Sequence, residues 1–385
     1  MRRTFYRGAA VILVGLVFSM VADLRFLVSA REVQRNDTIT MIIRSSPNAG
    51  FESRLDIEDS KIIQALRGAK KETIANSPYL TDIYIAVPQV QKTLFRLESS
   101  GNLWSEMDGE RLVIPRDISD KLLKDARILR SRHYGKLIEW EEAKKLLPRK
   151  SFFSIKDLET GLEFRVQRRA GRDHADVQPV TKEDTKIMKQ IYNGRWSWKR
   201  KAIVLSKDGK HYAASMNGMP HGGDGIPGNN FSGHFCVHFL NSSTHRSAKP
   251  DPAHQLMVQK AAGNLRSFFD SASPLLLVQS LIEASNQKDL EMIRMITEGI
   301  AREKYDLLIQ ELSSPLSIKT IKQCEMKINQ EGDLFATINL GIGIQQKGRA
   351  RQKTSLQFIF ARQLPHTPWR LQTVYKKKPQ HASKR

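Results

Sequence analysis

The chain has 385 residues, 40% hydrophobic and 8% aromatic, which is enough apolar material for two or three folded domains and too much for a disordered chain. Its formal net charge of +22 suits a polyanion partner: nucleic acid, anionic lipid or an acidic wall polymer. Two cysteines exclude a disulfide framework, although Cys236 and Cys324 leave room for a single bridge in an oxidising compartment.

Arg2, Arg3 and Arg7 precede an unbroken apolar or small-residue run over residues 8–22, which Asp23 and Arg25 end. The run has the length of a signal-peptide core and is short for a membrane span, and Val28-Ser29-Ala30 fits a small-residue cleavage site. Residues 1–30 therefore read as a signal peptide, or as a membrane anchor if uncleaved. The protein is expected to be secreted or membrane-anchored, in the cell envelope. There, wall polymers and lipid headgroups displace nucleic acid as the expected polyanions.

Residues 31–116 read as a small α+β module. TITMIIRSS (38–46) is strand-like, and Ile57, Ile62, Ile63 and Leu66 recur at helical spacing over 57–71. DIYIAV and residues 92–115 read as strands with a turn at 99–102. No histidine, cysteine or acidic cluster converges there, so a regulatory or binding role is expected. Residues 117–147 are charged and helical, a connector to the next domain.

Residues 148–270 read as a β-rich domain. Polar and apolar residues alternate over 154–169, and Thr181 with Asp184 has the spacing of a capped helix start. Residues 201–222 read as a hairpin turning at Lys207-Asp208-Gly209-Lys210, and Asp251-Pro252 as the start of a closing helix. Between them lies FSGHFCVHF (231–239). In an extended strand His234, Cys236 and His238 face one way, toward a cleft, and Phe235, Val237 and Phe239 the other, toward a core. The preceding glycine-rich loop can return His221 over the strand.

A cysteine nucleophile needs a base in reach and donors for an oxyanion, and histidine exchanges protons near neutral pH. Cys236, His221, His234 and His238 are therefore the candidate catalytic residues. An inert buried thiol among structural histidines is the plain alternative, and His245 and His254 read as structural. His174 and Asp176, two apart in GRDHADVQP, could instead hold zinc with His234 or His238. Trp196 and Trp198, interleaved with basic residues, read either as sugar-stacking side chains or as core. Anchors for nucleotide, dinucleotide, zincin or dithiol chemistry are missing from the sequence.

His221-Gly222 followed by Ser232-Gly233-His234-Phe235-Cys236-Val237-His238 resembles the motif of L,D-transpeptidases of the YkuD type. That family carries His-Gly, a loop of somewhat more than a dozen residues, then Ser-His-Gly-Cys followed by a hydrophobic and a polar residue. The resemblance implies a β-rich catalytic domain without a cofactor. Cys236 would take an acyl group from a tetrapeptide stem, His221 would activate the thiol, and His234 would sit beside the oxyanion. Gly222, Ser232, Gly233 and Phe235 would contact substrate, with Trp196 and Trp198 alongside. Here Phe235 stands where the family has glycine, Gly233 separates Ser232 from His234, the loop is shorter, and His238 replaces an arginine or asparagine.

Residues 274–376 give amphipathic helices followed by four strand-like runs ending in Trp-Arg-Leu-x-x-Val, an order that resembles NTF2-like α+β cones. Residues 377–385 are a basic tail. The expectation is thus a multidomain α+β protein: a small α+β module, an L,D-transpeptidase-like domain and an NTF2-like domain. Its expected function is acyl transfer on peptidoglycan stem peptides through a Cys236 thioester, at acidic wall polymer. A zinc-dependent peptidoglycan peptidase and a non-catalytic wall-binding or envelope-assembly protein stay open as alternatives.

Overall fold

The computed structural model describes residues 38–377 apart from 75–78, 88–92, 224, 245–248, 301–307, 309, 311, 313–314, 316, 328–333 and 347. The leader, His245 and nearly all of the basic tail lie outside these residues. Among the described residues the chain is mixed α+β, with eight helices and three sheets, one of them a closed barrel. None of those helices is long and apolar enough to cross a membrane. The chain divides into two compact units.

One unit contains the described residues up to Ile42, with Arg54–Pro78 and Ile83–Ala126. It is built on strands β1 (Thr40–Ile43), β2 (Ser53–Asp56), β3 (Lys70–Thr73), β4 (Ile83–Val87), β5 (Thr93–Leu97), β6 (Leu103–Trp104) and β7 (Glu110–Val113). Their order is β2-β1-β4-β5-β6-β7-β3. Helix α1 (Ser60–Arg67) starts where the Asp59 carboxylate accepts from the Lys61 and Ile62 amides, and it buries Ile62 and Leu66. The helical spacing over 57–71 overshoots: Gly68 ends the helix and residues 70–73 pair with β7.

The other unit contains Ile43–Ser53, Tyr79–Asp82 and the chain from Arg127 onward. Helix α2 (Arg116–His133) runs from the first unit into this one, and α3 (Trp140–Leu146) follows. Strands β8 (Phe152–Asp157), β9 (Glu163–Ala170), β10 (Ala175–Pro179), β11 (Lys201–Lys207), β12 (Lys210–Met216) and β13 (Phe235–His238) close into an antiparallel barrel, ordered β10-β13-β12-β11-β8-β9. The β11–β12 hairpin turns at Asp208 and Gly209, both at positive φ, as a two-residue turn of this twist requires.

Each barrel strand sends alternate side chains inward. Ile155, Phe164, Val177, Leu205, Met216 and Phe235 belong to one buried cluster. Each such side chain contributes about 1.5–3 kcal/mol by leaving water. Helix α4 (Lys182–Ile191) adds Met188 and Ile191 to that cluster, and its start is the expected box: Thr181 accepts from the Asp184 amide while the Asp184 carboxylate accepts from the Thr181 amide. Helix α5 (Pro252–Ala261), capped by Asp251, packs on the outer face of β11 and β12.

After α6 (Leu265–Ser271), helix α7 (Pro274–Gln287), capped by Ser273, and α8 (Leu290–Ile296) precede a four-stranded meander. Its strands are β14 (Ser317–Lys327), β15 (Phe335–Gln345), β16 (Gln352–Ala361) and β17 (Arg370–Lys377), paired in chain order. Barrel and meander fall in the same compact unit.

Candidate active site

Strand β13 lies between β10 and β12, with Asp176 directly opposite Cys236 and Ser215 opposite His238. Phe235, Val237 and Phe239 enter the barrel core, as alternation predicts. Cys236 and Asp176 therefore share the outer face. The departure at Phe235 resolves in the same way. Its fully buried ring packs near Phe164 and Phe231, so it neither contacts an incoming substrate nor covers the thiol.

His221 returns over the strand. It forms an antiparallel bridge with His234, with amide-to-carbonyl distances of 3.0 and 2.7 Å. The glycines expected to contact substrate make this bridge possible. Gly222 and Gly233 both have positive φ; a Cβ on Gly222 would fall 2.4 Å from the His234 ring, and one on Gly233 2.3 Å from the His221 carbonyl oxygen. Ser232, which precedes Gly233, is exposed.

His221 Nδ1 is 2.8 Å from the Met219 carbonyl oxygen, which only accepts, so this nitrogen carries the proton. Nε2 therefore faces Cys236 Sγ at 3.3 Å, placed to take the thiol proton and to donate it back to the thiolate. This is the arrangement of a base oriented onto a thiol. The hydrogen bond to Cys236 raises the pKa of His221 against the opposing effect of burial. Trp198, half exposed, leans on the His221 ring with centroids 5.0 Å apart.

Behind the thiol lies a second histidine. His174 Nδ1 is 2.9 Å from the Ser243 carbonyl oxygen and its Nε2 is 3.2 Å from Asp176 Oδ1. The same carboxylate oxygen is 3.5 Å from His234 Nε2. Burial would lower the pKa of His174, but Asp176 and Cys236 outweigh it and drive it up to about 10. Burial likewise pushes the Cys236 thiol up, and the hydrogen bonds to His174 and His221 bring it below its ordinary value.

His238 does not face an opening. It is buried, its Nδ1 meets Ser242 Oγ at 2.9 Å, and its ring is stacked between His174 and His254 at 4.4 and 3.8 Å. The predicted cleft face is closed at this end by α5, which carries His254, itself bonded to Ser215 Oγ. Burial holds both His238 and His254 well below the usual histidine range.

Donor atoms come within 4.8 Å of one another in two triplets, His174–Cys236–His238 and His221–His234–Cys236. Both include the thiol, so among the described residues no separate zinc site assembles from His174, Asp176 and His234 alone. Cys236 is a free thiol, and the Cys324 side chain lies outside the described residues. Trp196 packs edge-on to Phe231 against the barrel core, which gives it a structural task. It also lines a cavity of about 990 Å³ with Asp157, Tyr192, Arg200, Lys260 and Arg294; Cys236 is not on that wall.

The His174–Asp176 contact to the thiol was legible only as a two-residue spacing. The Met219 and Ser243 carbonyls that fix the imidazoles left no mark in the sequence. No model of a known protein family matches the chain, and no curated protein matches it.

Proposed function

We propose that this protein is an exported cysteine acyltransferase of L,D-transpeptidase-like type, acting on peptidoglycan stem peptides. The observation that carries the reading is the 3.3 Å approach of His221 Nε2 to Cys236 Sγ, with Nδ1 fixed by the Met219 carbonyl. In the reaction the Cys236 sulfur attacks the carbonyl carbon of the donor peptide bond. The C–N bond breaks, and the proton taken by His221 passes to the leaving amine. An acceptor amine then attacks the thioester and the thiolate leaves. His234, partly exposed beside His221, lines the approach. The basic chain would hold acidic wall polymer, and a retained leader would hold the membrane. The helices and meander after residue 274 would form an NTF2-like accessory domain.

The test is intact-mass analysis of the full chain incubated with tetrapeptide-stem muropeptides. An adduct on Cys236 that forms in the native protein and not in Cys236→Ala supports the reading. Absence of any adduct across donor stems, with the protein folded, rejects it in favour of a wall-binding role.

A further inference from the structure

We infer that His174 is a second catalytic partner of Cys236: a fixed imidazolium, neutralised by Asp176, that holds the sulfur as thiolate before substrate arrives, while His221 alone exchanges the proton. The inference rests on the reading of Cys236 as a nucleophile.

The geometry of the ring carries it. His174 is 2% exposed, so solvent supplies neither a donor nor an acceptor. Nδ1 faces a backbone carbonyl, which accepts only, and Nε2 faces a carboxylate oxygen, which accepts when ionised. A neutral imidazole has one proton and would leave one of these contacts as acceptor against acceptor. A second proton removes that clash: Nδ1 donates to Ser243, and the resulting charge is balanced by the Asp176 carboxylate across the ladder, 3.2 Å from Nε2.

Arg168, buried on the neighbouring strand β9, also interacts with Asp176, but its guanidinium is bonded to the Leu147, Ala170 and Gly171 carbonyls, and His174 is the cation whose donor atom approaches the thiol. Asp176 also faces His234 at 3.5 Å. His238 stacks on His174 and His254 stacks on His238, and burial keeps both neutral. Arg200, from the segment before β11, is paired with Asp251 of the α5 cap at 2.6 Å. The donor atoms of His174 and Cys236 lie within 4.8 Å of each other, close enough for a positive charge to favour the thiolate strongly. The directions of the Cys236 and His174 shifts agree.

His221 differs in the property that matters for turnover. Its ring is half-buried, and its Nε2 faces the thiol rather than a carboxylate. It can lose and regain a proton as the thioester forms and breaks, whereas loss of a proton from His174 would leave Asp176 buried without its counter-charge.

The experiment is the pH dependence of iodoacetamide alkylation and thiolate ultraviolet absorbance in the full chain, with Cys236→Ala subtracting Cys324. His174→Gln is expected to raise the Cys236 midpoint by about one unit, a tenfold loss of thiolate below it. Asp176→Asn, which keeps the shape if His174→Gln does not fold, is expected to shift it the same way. An unchanged midpoint in these folded variants, with a raised one in His221→Gln, overturns the inference and leaves the nucleophile standing. Stoichiometric zinc in the native protein, lost on His174→Gln, also overturns it. An ordinary thiol midpoint in the native protein removes the nucleophile itself.

Discussion

Asp176 stands directly across the β10–β13 ladder from Cys236, and one of its oxygens lies within 3.5 Å of both His174 and His234. The register of a single strand pair therefore decides which histidines surround the thiol. A slip of one residue would turn Cys236 into the barrel and Phe235 out of it.

Replacing His221 with Gln should lower the rate of Cys236 acylation by roughly 10²–10⁴-fold, the usual range for a general base. Single-turnover mass spectrometry would read this. An unchanged rate would remove His221 from the chemistry.

Gly233→Ala should cost more than an ordinary surface substitution. It combines a positive φ of 81° with a Cβ 2.3 Å from the His221 carbonyl oxygen. A loss of stability of about 1–3 kcal/mol is expected. Acylation should fall with it, because the His221–His234 bridge cannot close. Thermal unfolding beside an alkylation rate separates the two effects.

Phe235→Ala tests whether that ring belongs to the core or to the site. It is fully buried among Phe164 and Phe231, so truncation should cost about 3–5 kcal/mol in urea unfolding. Alkylation of Cys236 in the remaining folded protein should not speed up. A faster reaction at little cost in stability would place the ring over the thiol after all.

Acid should destabilise the barrel unit earlier than carboxylate protonation alone would. Burial lowers His133 to about 4 and holds His238 and His254 well below the ordinary value. These folded-state pKa values lie below that of the unfolded chain, so each contribution is complete above about pH 6.5 and is lost as pH falls through the folded-state value, about 4 for His133. Each group steepens the loss by about 1.4 kcal/mol per pH unit in that window. His254→Gln, keeping a partner for Ser215, should flatten the slope. Chemical unfolding at several pH values reads it directly.

Much of this was legible in the sequence because it is local. Strand alternation separates Phe235 and Val237 from Cys236, the Asp208-Gly209 turn pairs β11 with β12, and Thr181 with Asp184 starts α4. The return of His221 followed from a glycine-rich loop. What stayed hidden depends on contacts far apart in the chain. Nothing near His238 announces that His254, on a later helix, will cover it. Nothing near His174 announces Ser243. Gly222 and Gly233 looked like room for substrate, and only the backbone of their partners shows that they make room for each other's neighbours.

The barrel that carries Cys236 is closed. It offers no open sheet margin along which an extended peptide could lie down as an extra strand. Under the proposed function, a peptide brought to the sulfur would be gripped at its side chains and ends rather than along its backbone. Selectivity would then follow the chemistry of individual stem positions rather than the bare peptide backbone.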